Sequence, residues 1–322
     1  MRTADTAGRH EWPPAVHPRK LLWTVTPRAF RRRGTTAKVP WPLAVMLSLP
    51  ALVGIIIVFL VPFIGTIRLS FTTWFGVGEA EPVGLRNYDA LFSDPTFYSS
   101  IRVTVLYTLL SALGIVILAT VTAMSVRRGR LATVLRIVWF LPAIAPGTAV
   151  AVFWAFALQP VSGAVNGLLG IVGLGDTHAW LASPRDAIYV VIAVTIWAGV
   201  AFPFLLIVGA IERVAPEIYE AAQLDGAGAT RQAFHITLPL IRPVLAMVTV
   251  LELIWNFNSF TTVWAMTKGG PAEATNTLPV RLYVDAFQNF EFGEAAALGV
   301  MTSVVLVVIG LVGLRFANRS AV

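Results

Sequence analysis

The sequence predicts an all-α integral membrane protein with six transmembrane helices, and three observations carry that expectation. The 322 residues are 57% hydrophobic and only 13% charged, where soluble proteins carry roughly a quarter charged residues. Mean hydropathy is +0.75. Six windows are long and apolar enough to cross a hydrocarbon core of about 30 Å, which takes roughly 20 residues of helix. Lysines and arginines gather on alternate connections between those windows. Together these exclude a water-soluble enzyme, a disordered chain and, with no cysteine present, a disulfide scaffold or a thiolate metal site.

The windows are Leu43–Ile67, Val103–Val126, Ile137–Leu158, Ala187–Ile211, Val244–Met266 and Ala295–Leu314; all but the fifth are uncharged, and it holds Glu252. Backbone polar groups in lipid must be satisfied within the segment, so each window is expected to be helical. Residues 1–42 precede the first window as a polar leader with Pro13, Pro14, Pro18, Pro27, Arg31 to Arg33 and Lys38. No small-residue cleavage pattern follows the first window, so it is expected to be a retained helix. The leader is expected to be a flexible basic tail near the membrane surface.

Six crossings put both termini on one side. The leader, the Arg127–Arg136 connection, the Glu212–Pro243 connection and the tail from Arg315 then hold 18 basic and 6 acidic residues, against 6 basic and 10 acidic on the other side. An excess of Lys and Arg marks the cytoplasmic face, so both termini are expected in the cytoplasm. The net charge of +7 becomes a topology signal with affinity for anionic membrane lipids, and no nucleic-acid partner is expected. The outer connection Ser70–Ser100, with Asn87 and Tyr88, suits a short helix anchored at the interface.

The Glu212–Pro243 connection is the most informative. Pro216 fits a first helical position, Glu217 and Glu220 favour the helix dipole, and Gly226 fits the stop. A second short helix from about Ala229 leads through Leu238-Pro239 into the fifth window. Ile218, Ala221 and Ala222 share one apolar, sterically slight face. Such a knob suits a groove on another protein.

These residues resemble the permease subunits of ATP-binding-cassette importers. Glu220-Ala221-Ala222, Asp225-Gly226, Ile236 and Leu238-Pro239 are similar to that family's EAA loop, with Gly228 where serine is frequent and Ala233 where phenylalanine is frequent. Gly84 to Tyr88, Asp94 to Phe97, Leu141-Pro142, Pro146, Trp154, Gly163, Asn166, Gly269-Gly270-Pro271, Tyr283, Phe287 and Gly293 resemble the carbohydrate-uptake type. Among its two partner permeases, they resemble the first, maltose- or glycerol-phosphate-type subunit. The resemblance spans about 43–316, a permease domain containing the 212–243 loop, flanked by the leader and a short tail, 317–322. It implies the bacterial cytoplasmic membrane. It also implies a second permease subunit, two ATPase subunits that hold ATP and Mg and receive the EAA helices, and an external solute-binding protein. This chain is then expected to bind no cofactor or metal and to have no catalytic residue. It has no Gly-rich Lys-Ser/Thr phosphate loop of its own.

The fifth window places Glu252, Trp255, Asn256, Asn258 and Ser259 near mid-membrane. A charge there should face the bundle interior or water. Amides, a hydroxyl and an indole suit a sugar, and the same stripe could instead join helices. Phe202-Pro203 marks a kink. An ion-gradient-driven carrier using Glu252 is the alternative function. A membrane enzyme would need a convergent polar set, and Asp176, His178 and Asp186 lack metal-ligand spacing.

Overall fold

Prolines decide where this helical chain bends. In the computed structural model residues 40–125, 130–175 and 177–320 are described. They fall into two units by contact, residues 1–55 and 56–322. Of the first unit only 40–55 is described, chiefly helix α1 (Trp41–Ile55); most of the leader, and the Arg127–Gly129 part of the second basic connection, lie outside the described residues.

The second unit begins with a π-helical turn, Ile56–Leu60, and α2 (Val61–Leu69). A two-residue ribbon follows, β1 (Thr72–Thr73) antiparallel to β2 (Glu81–Pro82), with Thr72 opposite Pro82. An all-α expectation did not include it. Then come α3 (Arg86–Ser93), α4 (Pro95–Ser125), α5 (Arg130–Ile144), α6 (Gly147–Ala157), α7 (Ala164–Ile171), α8 (Ala187–Gly199) and α9 (Ala201–Ile211). The chain continues through α10 (Pro216–Leu224), α11 (Ala229–Gln232), a second π turn (Ala233–Thr237), α12 (Leu238–Phe257), α13 (Thr261–Thr267), α14 (Leu278–Phe287) and α15 (Phe292–Ser320).

Among the described residues four stretches are long and apolar enough to cross a membrane, Trp41–Leu69, Pro95–Ser125, Ala229–Phe257 and Phe292–Gly313, or up to six if each of two bent pairs is one crossing. The fourth window is one such pair, bent by 46° between α8 and α9. The expected kink is there, because the Pro203 ring excludes the carbonyl of Gly199 four residues back. The third window was expected as one helix and is not. It breaks by 99° between α5 and α6, since Pro146 bars Ala145 from the helical region. The fifth window is corrected too: α12 stops at Phe257, the Asn258 and Ser259 backbones turn back onto Ile254 and Asn256, and α13 is a separate helix. Both π turns lie just before a proline, Pro62 and Pro239, whose missing N–H and bulky ring widen the preceding turn.

Helix α4 is the centre of the second unit and packs against α8, α9, α12 and α14. One cluster joins Tyr107 to Ile188, Val191, Val263 and Val280; a second joins Ala119 and Ala123 to Phe204, Ile207 and Ile241; a third joins Leu91 and Phe97 to Phe257, Leu278 and Leu298. Lipid offers no hydrophobic drive between helices, so small residues must let them approach. Ala112, Ala119 and Ala123 do so on α4. Gly114 admits Ile196 and Gly199 admits Ile115, each at a distance a Cβ would forbid.

The first connection is stapled to the last helix. Asn87, 5% exposed, donates to the carbonyls of Ser70 and Thr72, both at 2.9 Å. Tyr88 Oη shares a 2.8 Å bond with Ser70 Oγ. Gly293 lies against the Thr72 carbonyl with no room for a Cβ. Helix α3 therefore forms as expected but is fastened inward as well as lying at a surface. Asn87→Leu leaves two carbonyls unmet and should lower stability by about 2 kcal/mol, read as thermal unfolding in detergent.

Candidate functional site

The α10–α11 hairpin is built by its cap. Pro216 opens α10 with Glu217 in the first turn. At its end Ala227 N–H donates to Ala222 O at 2.8 Å and Gly226 N–H to Gln223 O at 3.0 Å. This nested pair is a Schellman motif. It requires a left-handed residue, and Gly226 has φ +76°. Gln232, 3% exposed, donates to Ala227 O at 2.8 Å, closing the turn from the other side. Tyr219 Oη and Thr237 Oγ1 meet at 3.1 Å, tying α10 to the foot of α12.

No residue of α10 is buried. Glu220, Ala221 and Asp225 are exposed, Ala222, Ile236 and Leu238 half-buried, and Pro239 exposed. Leu224 is 90% exposed and Phe234 63%, so the hairpin presents an uncovered apolar surface. Phe234 is the neighbour of Ala233, the position where the EAA pattern favours phenylalanine. From Ala229 the helix runs on to Phe257 as one 29-residue stretch.

At the far end of that stretch the five expected solute-contact residues are not brought onto one surface. Glu252 and Asn256 are 4% and 5% exposed. Asn256 Nδ2 donates to Glu252 Oε2 at 3.0 Å and to Glu252 O at 2.8 Å. Trp255 is 51% exposed and lies 5.3 Å from the Phe202 ring. Asn258 is exposed. Ser259 Oγ accepts from Tyr107 Oη at 3.1 Å, and Tyr107 Oη shares a 3.0 Å bond with Thr195 Oγ1. Sequence reasoning missed Tyr107 and Thr195, and with them Thr108 and Ser111, whose buried hydroxyls have no hydrogen-bond partner among the described residues. The signal was present as hydroxyls at helical spacing along α4: Ser100, Thr104, Thr108 and Ser111.

A second missed feature sits where α4 begins. Asp94 precedes Pro95, and its Oδ1 accepts the Thr96 N–H at 2.8 Å. Arg281, 9% exposed, grips Asp94, lies 3.3 Å from Asp285 Oδ2, donates to Thr96 Oγ1 at 2.9 Å and covers the Phe97 ring. Burial pushes the Asp285 carboxyl up. At Asp94 burial also pushes up, but the Thr96 hydroxyl and N–H and the Arg281 guanidinium outweigh it and hold the group below the usual range. A depressed carboxylate stabilises fully above its unfolded value and loses that as pH falls through its folded value. The Tm gap between the native chain and Asp94→Asn should therefore hold down to about pH 4 and close below it.

His178 Nε2 lies 3.3 Å from Asp186 Oδ2, both side chains over a third exposed, and Asp176 falls outside the described residues. Among the described residues no group of three His, Asp or Glu could hold a metal.

Three comparisons bear on this geometry. The chain is 36% identical over 320 residues to the diacetylchitobiose uptake system permease protein NgcF of Streptomyces coelicolor, covering 95% of this chain and 88% of that one. It is 30% identical over 256 residues to the sn-glycerol-3-phosphate transport system permease protein UgpA of Yersinia enterocolitica, covering 76% and 86%. Its fold matches a chain in the crystal structure of a bacterial alginate ABC transporter in complex with an alginate pentasaccharide-bound periplasmic protein. That match has a TM-score of 0.75 at 25% identity over 87% of this chain and 94% of that one. Nothing in these relatives supports the ion-gradient reading of Glu252. Residues 115–321 match the family described as binding-protein-dependent transport system inner membrane component, and with these relatives that places the chain in that family of multi-pass membrane permeases.

Proposed function

We propose that this chain is one of two membrane-spanning subunits of a bacterial cytoplasmic-membrane importer that takes up a neutral sugar. In this reading residues 43–316 cross six times with both termini in the cytoplasm, each bent pair counting as one crossing. The leader and the tail flank that domain. A second permease completes the pathway. An external binding protein delivers the solute, and two ATPase subunits, which hold ATP and Mg, hydrolyse it; this chain supplies no catalytic group.

One observation carries the proposal: an α10 with no buried residue is locked by a Schellman turn to a helix that runs from Ala229 to Phe257. A push on Glu220, Ala221, Ala222 or Leu224 is delivered through Ile236, Leu238 and Pro239 to Trp255, Asn256 and Asn258. Rigid elements moving about a fixed site can alternate access in this way. Glu252 and Asn256 act as a joint within α12, while the exposed Trp255 and Asn258 face the pathway. The names of the relatives support a sugar or sugar derivative, and none of the six windows contains an arginine for a phosphate.

The test is reconstitution of the complex encoded with this chain in proteoliposomes. Uptake of N,N′-diacetylchitobiose, maltose, an alginate oligosaccharide and sn-glycerol 3-phosphate is compared. Uptake of a neutral sugar that needs ATP and survives an ionophore is expected. Uptake without the ATPase subunits overturns the proposal.

A further inference from the structure

Six aromatic rings at the far end of α12 touch in series. Phe260 and Trp264 stack at 5.6 Å and 18°, and both meet Tyr283, at 4.9 and 4.7 Å. Tyr283 meets Phe287 at 5.2 Å, Phe287 meets Phe292 at 6.2 Å, and Phe292 meets Trp74 at 5.1 Å. None of the six is buried. They come from the α12–α13 turn, α13, α14, the start of α15 and the loop after β1, so no single helix's periodicity produces the series.

The inner end of the series opens on a cavity of about 230 Å³ whose lining includes Phe260, Tyr283, Phe287, Asn258 and Thr302 beside the apolar Phe257, Pro279 and Leu282. Within the described residues the Asn258 amide and the Tyr283 hydroxyl make no hydrogen bond. Thr302 lies ten residues along α15 from Phe292, about 15 Å at 1.5 Å per residue. That is near half the depth of a hydrocarbon core of about 30 Å.

Lipid chains are a poor occupant for such a surface. Aromatic belts anchor at the headgroup level, whereas this series continues inward to an unspent amide, which hydrocarbon would leave unsolvated. Anions are disfavoured as well. Ring faces carry negative charge, and none of the cavity's lining residues is basic. A saccharide meets both demands. Its axial C–H faces lie on aromatic rings, and its hydroxyls bond amide and phenol groups.

We propose that the rings from Trp74 to Phe260 form a saccharide track on this chain, ending in a sugar subsite at Tyr283, Phe287, Asn258 and Thr302. The proposal rests on the sugar-import reading and adds a route and a subsite to it. Sugar leaving the binding protein passes ring to ring before it reaches the exposed Trp255 on α12.

The test uses the complete importer in proteoliposomes with its binding protein. The probe is tritiated N,N′-diacetylchitobiose first, then the other neutral sugars of the panel. Tyr283→Leu and Phe287→Leu should each deliver about fivefold to tenfold less sugar per ATP hydrolysed, the loss of one ring contact. Phe287→Trp should restore delivery. Phe287 is 59% exposed, so its leucine variant leaves the buried core intact. Native delivery per ATP by both leucine variants, or equal delivery by Phe287→Leu and Phe287→Trp, overturns the track. A native importer that carries sn-glycerol 3-phosphate and no neutral sugar overturns the sugar reading itself.

Discussion

Gly226→Arg should uncouple the importer while leaving the chain inserted and folded. Gly226 sits at φ +76°, and a side chain in the left-handed region costs roughly 1–2 kcal/mol. The space where its Cβ would go is open, so nothing in the core is displaced. What fails is the Schellman turn, and with it the angle at which α10 is held against α11. A cationic side chain is also placed between the exposed Asp225 and the α11 helix. Binding-protein-stimulated ATP hydrolysis should fall by on the order of tenfold or more, with membrane yield unchanged. Normal transport by this variant, with normal recovery of the ATPase subunits, would end the lever account.

Arg281→Leu should produce the largest loss of stability. It removes the cation from between Asp94 and Asp285, leaving a nearly buried carboxylate beside a part-exposed one. Breaking a buried pair by deleting one partner costs about 3–5 kcal/mol. The Asp94 side chain is 29% exposed, which puts this case near 3 kcal/mol. Thermal unfolding in detergent reads it. The double variant Asp94→Asn with Arg281→Leu should recover part of the loss, because the two sites share one interaction. Arg281→Leu unfolding at the native temperature would mean that the clasp between α4 and α14 holds nothing.

Local pattern made much of this legible in the sequence. Hydropathy placed the helices that carry the second, fourth and sixth windows, and Ala187–Ile211 has the bounds of α8 and α9. Pro216 and Gly226 placed α10, because capping is local. Composition cannot see a bend, which is why Ile137–Leu158 was expected whole although Pro146 lies inside it. It also ran the fifth window past Asn258, where the backbone turns out of the helix. Long-range features left still less trace. Arg281 meets Asp94 across 187 residues, and the six rings come from five segments. Spacing within one helix cannot foretell either. The polar stripe shows the same limit: period alone aligned Glu252, Asn256 and Ser259, but the break at Asn258 turned Ser259 to Tyr107.

The central claim is that the hairpin faces the cytoplasm and is gripped there by the ATPase. With no cysteine in the chain, Leu224→Cys creates a unique thiol at a position 90% exposed. In the assembled importer that thiol should react with a membrane-impermeant maleimide in inverted vesicles only, and cross-link to an ATPase subunit. Labelling in right-side-out vesicles, or a hairpin that never cross-links to that subunit, would contradict the account.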